Sequence, residues 1–163
     1  MVSMQGVYPF FDYGFAYPQE VLRKKPVAKT YPANSVMGFL QAHYPSFAFL
    51  VRTARLDQQL ADPMDRCTVF VPEQLPPEDV LVRMDIDACR RFVKYHMMQG
   101  VFPKQVLFTS PFQQLQSTIK GEWLRAVIQG PNQLLVNQSP VLSFDHTLQN
   151  GIVHVVAFPL TTT

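Results

Sequence analysis

Several features that define common protein classes are scarce or missing in this sequence. Only 16% of its 163 residues are charged and the formal net charge is +2, too small a balance to indicate nucleic acid by itself. No run approaches the ~20 apolar residues of a membrane-spanning helix. The two cysteines, Cys67 and Cys89, are a weak basis for a disulfide, so we expect two buried thiols that act as small apolar side chains.

Motifs of catalysis are also absent. The sequence has no G-x-S-x-G nucleophile motif and no phosphate-binding glycine loop, and its seven glycines are dispersed at predicted turns. The candidates for a metal or catalytic site are Cys67, Cys89, His96 and His154, but they stand singly, without the paired spacing of a zinc site. We therefore expect no enzyme, no metal and no cofactor.

The composition does support a folded core, because 47% of the residues are hydrophobic. The length suits one domain with an additional arm or linker. We predict an extended arm over residues 1–34 and a globular domain over residues 35–163.

Aromatic residues are concentrated in the arm. Between positions 8 and 17 there are six of them, interrupted by proline and glycine: Tyr8, Phe10, Phe11, Tyr13, Phe15 and Tyr17. Their spacing fits neither a helical stripe nor a regular strand. Six exposed rings would form an aggregation-prone patch, so we expect them to be covered, either by their own domain or by a partner protein. Aromatic residues dominate protein interfaces, which makes these rings the predicted partner-binding residues.

A basic stretch follows the aromatic residues. Arg23, Lys24 and Lys25 lie in "VLRKKPVAKTYP", where two prolines exclude a long helix. Cations beside aromatic rings are typical of single-strand nucleic-acid binders, but here the rings precede the lysines instead of alternating with them. We therefore assign these cations to protein contacts and do not expect nucleic acid.

The domain begins with helices. We predict a short helix in "NSVMGFLQAHYP" capped by Asn34 or Ser35, one helix through "PSFAFLVRTARLDQQLAD", and a helix in "DIDACRRFVKYHMMQG" with Gly100 as its C-cap. We place His43 and His146 in loops. "CTVFVPE" is a predicted strand that ends at Pro72.

Strand-like segments separated by turns make up the rest of the chain. They are "KQVLF", "QLQSTI", "WLRAVIQ", "QLLVNQ", "PVLSFDHTL" and "IVHVVAF". Helices followed by strands predict an α+β domain with mostly antiparallel pairing.

The order of these motifs resembles the fasciclin domain family. The matching stretches are "SFAFLVRTARLDQQL", "CTVFVP", "FVKYHMMQG", "LQSTIKGEWLRAV" and "NGIVHVVAFPL". The sequence departs from the family pattern in "EQLPPEDV", a loop we expect to be rebuilt, and at Ala157, where the family usually has Asp. The resemblance implies a β-sandwich or wedge with packed helices, and a role in protein contact without catalysis.

The resemblance also assigns structural roles to five residues of the domain, which are Tyr95, His96, Asn150, Gly151 and His154. On this interpretation the buried ring of His96 hydrogen-bonds backbone carbonyls near the sheet, since an unpaired buried polar group costs about 1–3 kcal/mol.

Two functional hypotheses remain. In the first, the domain is anchored by its arm to other protein subunits of a larger assembly, such as a virus capsid as a minor component, a cytoskeletal or ciliary lattice, or an organellar or pigment–protein complex. The first 20 residues show no secretory signal, which favours a place inside the cell or within such an assembly. In the second, the protein is a secreted or cell-surface adhesion protein whose signal has been removed, and the N-x-S motif at Asn137 carries a glycan.

Overall fold

A computed structural model describes residues 30–161. Six helices and seven strands form in this range. The helices are α1 (Val36–His43), α2 (Pro45–Thr53), α3 (Asp57–Ala61), α4 (Glu78–Leu81), α5 (Ile86–Tyr95) and α6 (Lys104–Leu107). The strands are β1 (Cys67–Pro72), β2 (Met97–Gln99), β3 (Phe112–Gln116), β4 (Trp123–Gly130), β5 (Gln133–Val136), β6 (Ser139–Leu148) and β7 (Gly151–Val156).

The strands form one sheet in the order β2–β1–β7–β6–β5–β4–β3. Among the strands of residues 30–161, β1 and β7 pair in parallel, with Cys67 opposite Gly151 and Pro72 opposite Val156, and the other five pairings are antiparallel. The predicted α+β class and the mostly antiparallel pairing are therefore confirmed. β6 contains two register shifts, and irregularities of this kind bend a strand.

Two hydrophobic cores lie on opposite faces of β1 and β7. Val69 of β1 and Val153 of β7 pack with the helices, whereas Phe70 and Val156 pack with side chains of β3, β4 and β5. Phe70 and Leu115 of β3 belong to the same core although their strands are far apart in the sheet order. The sheet therefore curves over itself into a wedge. The central strands β1 and β7 are buried on both faces, which explains why they are mostly apolar, with Thr68 and His154 as their polar residues.

The helical segment after Pro45 is two helices instead of the one predicted. Arg55 has φ 62, in the left-handed region. Its N–H donates to Arg52 O and the N–H of Leu56 donates to Val51 O, which is the Schellman arrangement that ends a helix. The position is normally glycine, so an arginine there does not indicate a helix break.

The two other predicted helices are found with changed ends. Ser35 caps α1, since its hydroxyl accepts from Gly38 N. Asp85 caps α5 by accepting from Ala88 N. α5 ends at Tyr95, and strand β2 follows, so Gly100 is not its C-cap; Gly100 has φ +92 and lies after β2.

Four further local predictions were wrong. "KQVLF" forms helix α6 and not a strand, His43 is the last residue of α1, and His146 lies within β6. Asn137 and Gln138, assigned to a strand, form the two-residue turn between β5 and β6, with φ values of 47 and 68. Positive φ at both positions is the type I′ pattern, which matches the twist of a hairpin.

Candidate functional site

The His96 ring lies at the C-terminal end of α5 and is fully buried. Its Nδ1–H donates to Phe92 O at 2.8 Å, and its Nε2 accepts from Leu160 N at 2.9 Å. These partners require the neutral ring with the proton on Nδ1. The ring therefore joins the end of α5 to the C-terminal segment after β7.

The His154 ring is held in a similar way in the middle of β7. Its Nε2–H donates to Phe102 O at 2.8 Å, and its Nδ1 accepts from Asp145 N at 3.1 Å. Phe70 and Phe144 pack around it, each with a ring centroid 5.6 Å away. His154 thus joins the β2–α6 connection to the irregular part of β6.

Burial keeps both histidines neutral. It lowers the pKa of His96 to about 4 against the weaker opposing effect of the hydrogen bond to Phe92. It also lowers the pKa of His154, again against an opposing hydrogen bond, here to Phe102. Because both nitrogens of each ring are already bonded to backbone, neither ring presents a free nitrogen to a substrate or a metal. This geometry favours the structural role proposed for His96 and His154.

Tyr95 takes part in a polar network with Asn137. The Asn137 Nδ2 donates to Tyr95 Oη at 2.7 Å and to Thr161 O at 2.9 Å, and its Oδ1 accepts from Arg125 N at 2.7 Å. Asn137 is only 6% exposed. Nδ2 is the atom to which an N-linked glycan would be attached, so the folded domain has no room for a glycan at this position, and that part of the adhesion hypothesis is not supported.

Asn150 and Gly151 connect the helices to the sheet. The fully buried Asn150 accepts from Val36 N at 2.9 Å and donates to Leu60 O at 2.8 Å. Gly151 follows at the start of β7, where a Cβ atom would lie 2.1 Å from Cys67 O of the paired strand. Only glycine allows this close approach of two backbones.

The two cysteines are free and buried in the helical core. Burial raises the pKa of the Cys67 thiol to about 12, and it also raises the pKa of Cys89. Thiols that stay protonated are poor nucleophiles and poor metal ligands. Their expected role as small apolar side chains is confirmed.

Within residues 30–161 no three His, Cys, Asp or Glu side chains come together as a group that would hold a metal ion. None of the helices of this range has the length and apolarity needed to cross a bilayer. The predicted partner-binding residues, from Tyr8 to Tyr17 and from Arg23 to Lys25, lie outside the described residues, and so does most of the predicted arm.

An exposed apolar groove was missed by the sequence reasoning. It lies between α2 and the α4 region and has a volume of about 640 Å³. Its lining residues are Pro45, Ser46, Phe49, Leu75, Pro76, Glu78, Leu81 and Val82. The available signal was Phe49, which lies at an outward position of α2 between the buried Ala48 and Leu50.

The fold and these buried polar contacts define an α+β domain whose distinctive polar side chains bind its own backbone. The family model of the fasciclin domain matches residues 42–162, which is well over half of the chain, so the chain belongs to the fasciclin family. The suspected resemblance is confirmed. Fasciclin domains are generally non-catalytic domains of adhesion and protein–protein interaction, and they are often extracellular.

A solved structure shows the same fold. It is a FAS1 domain pair from the insect cell adhesion molecule fasciclin I, with a TM-score of 0.64 and 18% sequence identity. The match covers 80% of this chain and 51% of that chain, so this chain spans about half the length of the domain pair. A comparison with curated proteins found no match.

Proposed function

We propose that this protein is a non-catalytic interaction subunit, in which residues 1–34 anchor a fasciclin domain to another protein of a larger assembly. The observation that carries the proposal is the aromatic segment of six rings within positions 8–17, placed before a domain of an interaction family. Each ring removes about 150–250 Å² from water when it is covered. Six rings within ten residues therefore give this segment a large apolar surface for binding.

The basic residues after the rings give the arm a second means of contact. Arg23, Lys24 and Lys25 are separated from the rings by a short segment that contains Pro18. Charged groups at the edge of an interface steer a partner and increase the association rate more than the affinity. The anchoring partner is therefore expected to present apolar pockets with carboxylates beside them.

The experiment is to delete residues 1–20 from the tagged chain and to compare co-purifying proteins with those of the full chain. The control replaces Arg23, Lys24 and Lys25 by glutamine and keeps all six rings. We expect the truncated chain to keep the circular dichroism spectrum of the full chain and to lose its partners. The control keeps the rings and should retain the partners, with binding that depends less on salt than that of the full chain because the glutamines carry no charge to be screened. Retention of the same partners by the truncated chain would contradict the proposal.

A second candidate function is adhesion at the cell surface. It is favoured by the family, whose members are often extracellular. Fractionation of cells followed by intact-mass measurement separates the two candidates: recovery outside the cell supports adhesion, and recovery within an intracellular complex supports the anchored subunit. Because the amide of Asn137 is buried, the absence of a glycan there would not count against adhesion.

A further inference from the structure

The groove between α2 and the α4 region is apolar on its walls as well as its floor. Leu75 and Leu81 are partly buried and pack against the helical core, so they fix the floor to the domain. Phe49 and Val82 form walls and are 55% and 74% exposed. Its volume of about 640 Å³ lies within the range of about 300–1,000 Å³ found for binding pockets.

Val80 and Val82 of the α4 region, unlike Leu81, are not among the residues that pack against the helical core. None of the residues of α4 is buried, and Val80, which lies on it, is 44% exposed. Two consecutive prolines, Pro76 and Pro77, precede the helix and restrict the backbone of this segment. A short, stiff element that holds aliphatic side chains in water is a feature of an interaction surface.

Two carboxylates lie at or beside this groove. Glu78 is one of its lining residues, and Glu73 lines a neighbouring depression that shares Pro45 and Leu75 with the groove. Residues 73–87 contain five carboxylates and one arginine: Glu73, Glu78, Asp79, Asp85, Asp87 and Arg83. The groove therefore has a mainly apolar lining with Glu78 in it and Glu73 nearby, in a segment of the chain that is net acidic.

The complementary chemistry is present in the same sequence. Residues 8–17 supply aromatic rings, and Arg23, Lys24 and Lys25 supply positive charge shortly afterwards. We propose that the groove binds the aromatic segment of a second copy of this chain, with the basic stretch of that copy beside the carboxylates. This inference rests on the proposed function, in which the arm joins the domain to another chain, and it names the partner and the receiving surface.

The length of the arm fits such an exchange between copies. Twelve residues lie between Tyr17 and Thr30, where the described residues begin, and the thirteen steps from one to the other span at most about 43–47 Å when fully extended. A contact between the arm of one copy and the groove of the next is heterologous, so repetition closes a ring or extends a filament. The inference therefore predicts oligomers that grow with concentration.

Sedimentation velocity of the purified full chain over a concentration series tests this inference. The groove variants are Phe49→Asp and Val82→Asp; both side chains are largely exposed, so the fold is expected to survive. Met64→Asp is the matched control, because Met64 is 87% exposed and is not among the residues that line the groove. We expect each groove variant to weaken association by about 30-fold or more, as at an interface hot spot, and the control to associate normally.

A photo-crosslinker placed at position 49 identifies the occupant. The crosslinking chain is mixed with an isotope-labelled full chain. The mass of the attached peptide then identifies the copy from which it comes. Peptides from residues 1–29 of the other copy support the inference. Peptides only from the same copy, a full chain that stays monomeric at every concentration, or groove variants that associate normally would each overturn it. If deletion of residues 1–20 abolishes association but the groove variants do not, only the groove assignment fails and the proposed function stands.

Discussion

At the scale of single residues, His96 and His154 show how both ring nitrogens of a histidine can be hydrogen-bonded within the fold. Each ring of His96 and His154 bonds two backbone groups from separate elements. A pattern of isolated histidines gives no information on this, because the same residue types occur in catalytic and metal sites. The partners decide the role, and both sets of partners here are backbone atoms.

The stability of the domain should fall in mild acid because of His96. The folded pKa of about 4 lies below the ordinary value of 6.5, so the unfolded chain binds more protons between these two pH values, and the free energy of unfolding decreases as pH falls through that window. The loss attributable to this ring approaches about 3 kcal/mol at pH 4. Burial of His154 shifts its pKa in the same direction and adds to the effect.

Urea unfolding of the wild type and of His96→Gln between pH 7 and pH 4.5 measures this contribution. We expect the variant to be less stable at pH 7 and the difference between the two proteins to shrink as pH falls. His43→Gln, which removes an exposed histidine, is the control and should follow the wild-type profile. A constant difference across the pH range would show that His96 is not a neutral, buried group.

At the scale of elements, the strongly patterned segments were predictable from the sequence and the short ones were not. β1 and β7 are mostly apolar, and α5 has an amphipathic pattern with an N-cap at Asp85. Helix α6 has four residues, and periodicity cannot separate so short an apolar run from a strand. The break at Arg55 and the turn at Asn137 depend on positive φ at residues other than glycine, which propensity does not reveal.

The candidate groove was not predictable because it depends on tertiary structure. The sequence shows two prolines and several carboxylates after β1, but only the fold places α4 beside the outward face of α2. The start of β7 is different, since the Asn150-Gly151 pair there is visible in the sequence as a turn signal. Its contacts to α1 and α3 explain why that pair is required.

The pairing of β7 with β1 should be the element most sensitive to substitution of glycine. In Gly151→Ala the new Cβ would lie 2.1 Å from the backbone oxygen of Cys67, so the strands must separate, and we expect a loss of about 3 kcal/mol or more. Gly121→Ala is the control: nothing lies within 4 Å of its added Cβ, and only its φ of +83 opposes the change, at about 1–2 kcal/mol. Urea midpoints compare the two, and equal losses would contradict the close approach of the strands.

At the scale of the whole molecule, the chain has a fasciclin domain and, before it, a segment of different chemistry that is rich in aromatic and basic residues. Within the domain, His96, His154, Asn137 and Asn150 are hydrogen-bonded inside the fold, and the two cysteines are buried. The chemistry of the aromatic and basic segment is complementary to that of the groove that Glu78 lines. This division of roles is the reason for the proposal that the molecule acts by holding proteins together.

Sedimentation in native cell extract tests this claim most directly. The tagged full chain is compared with a variant in which the six aromatic residues of positions 8–17 are replaced by serine, and the size of the species that contains each chain is measured. We expect the full chain in a species much larger than its own 18.6 kDa and the serine variant at the size of a single folded chain. Both chains in the same large species, or both as single chains, would contradict the account.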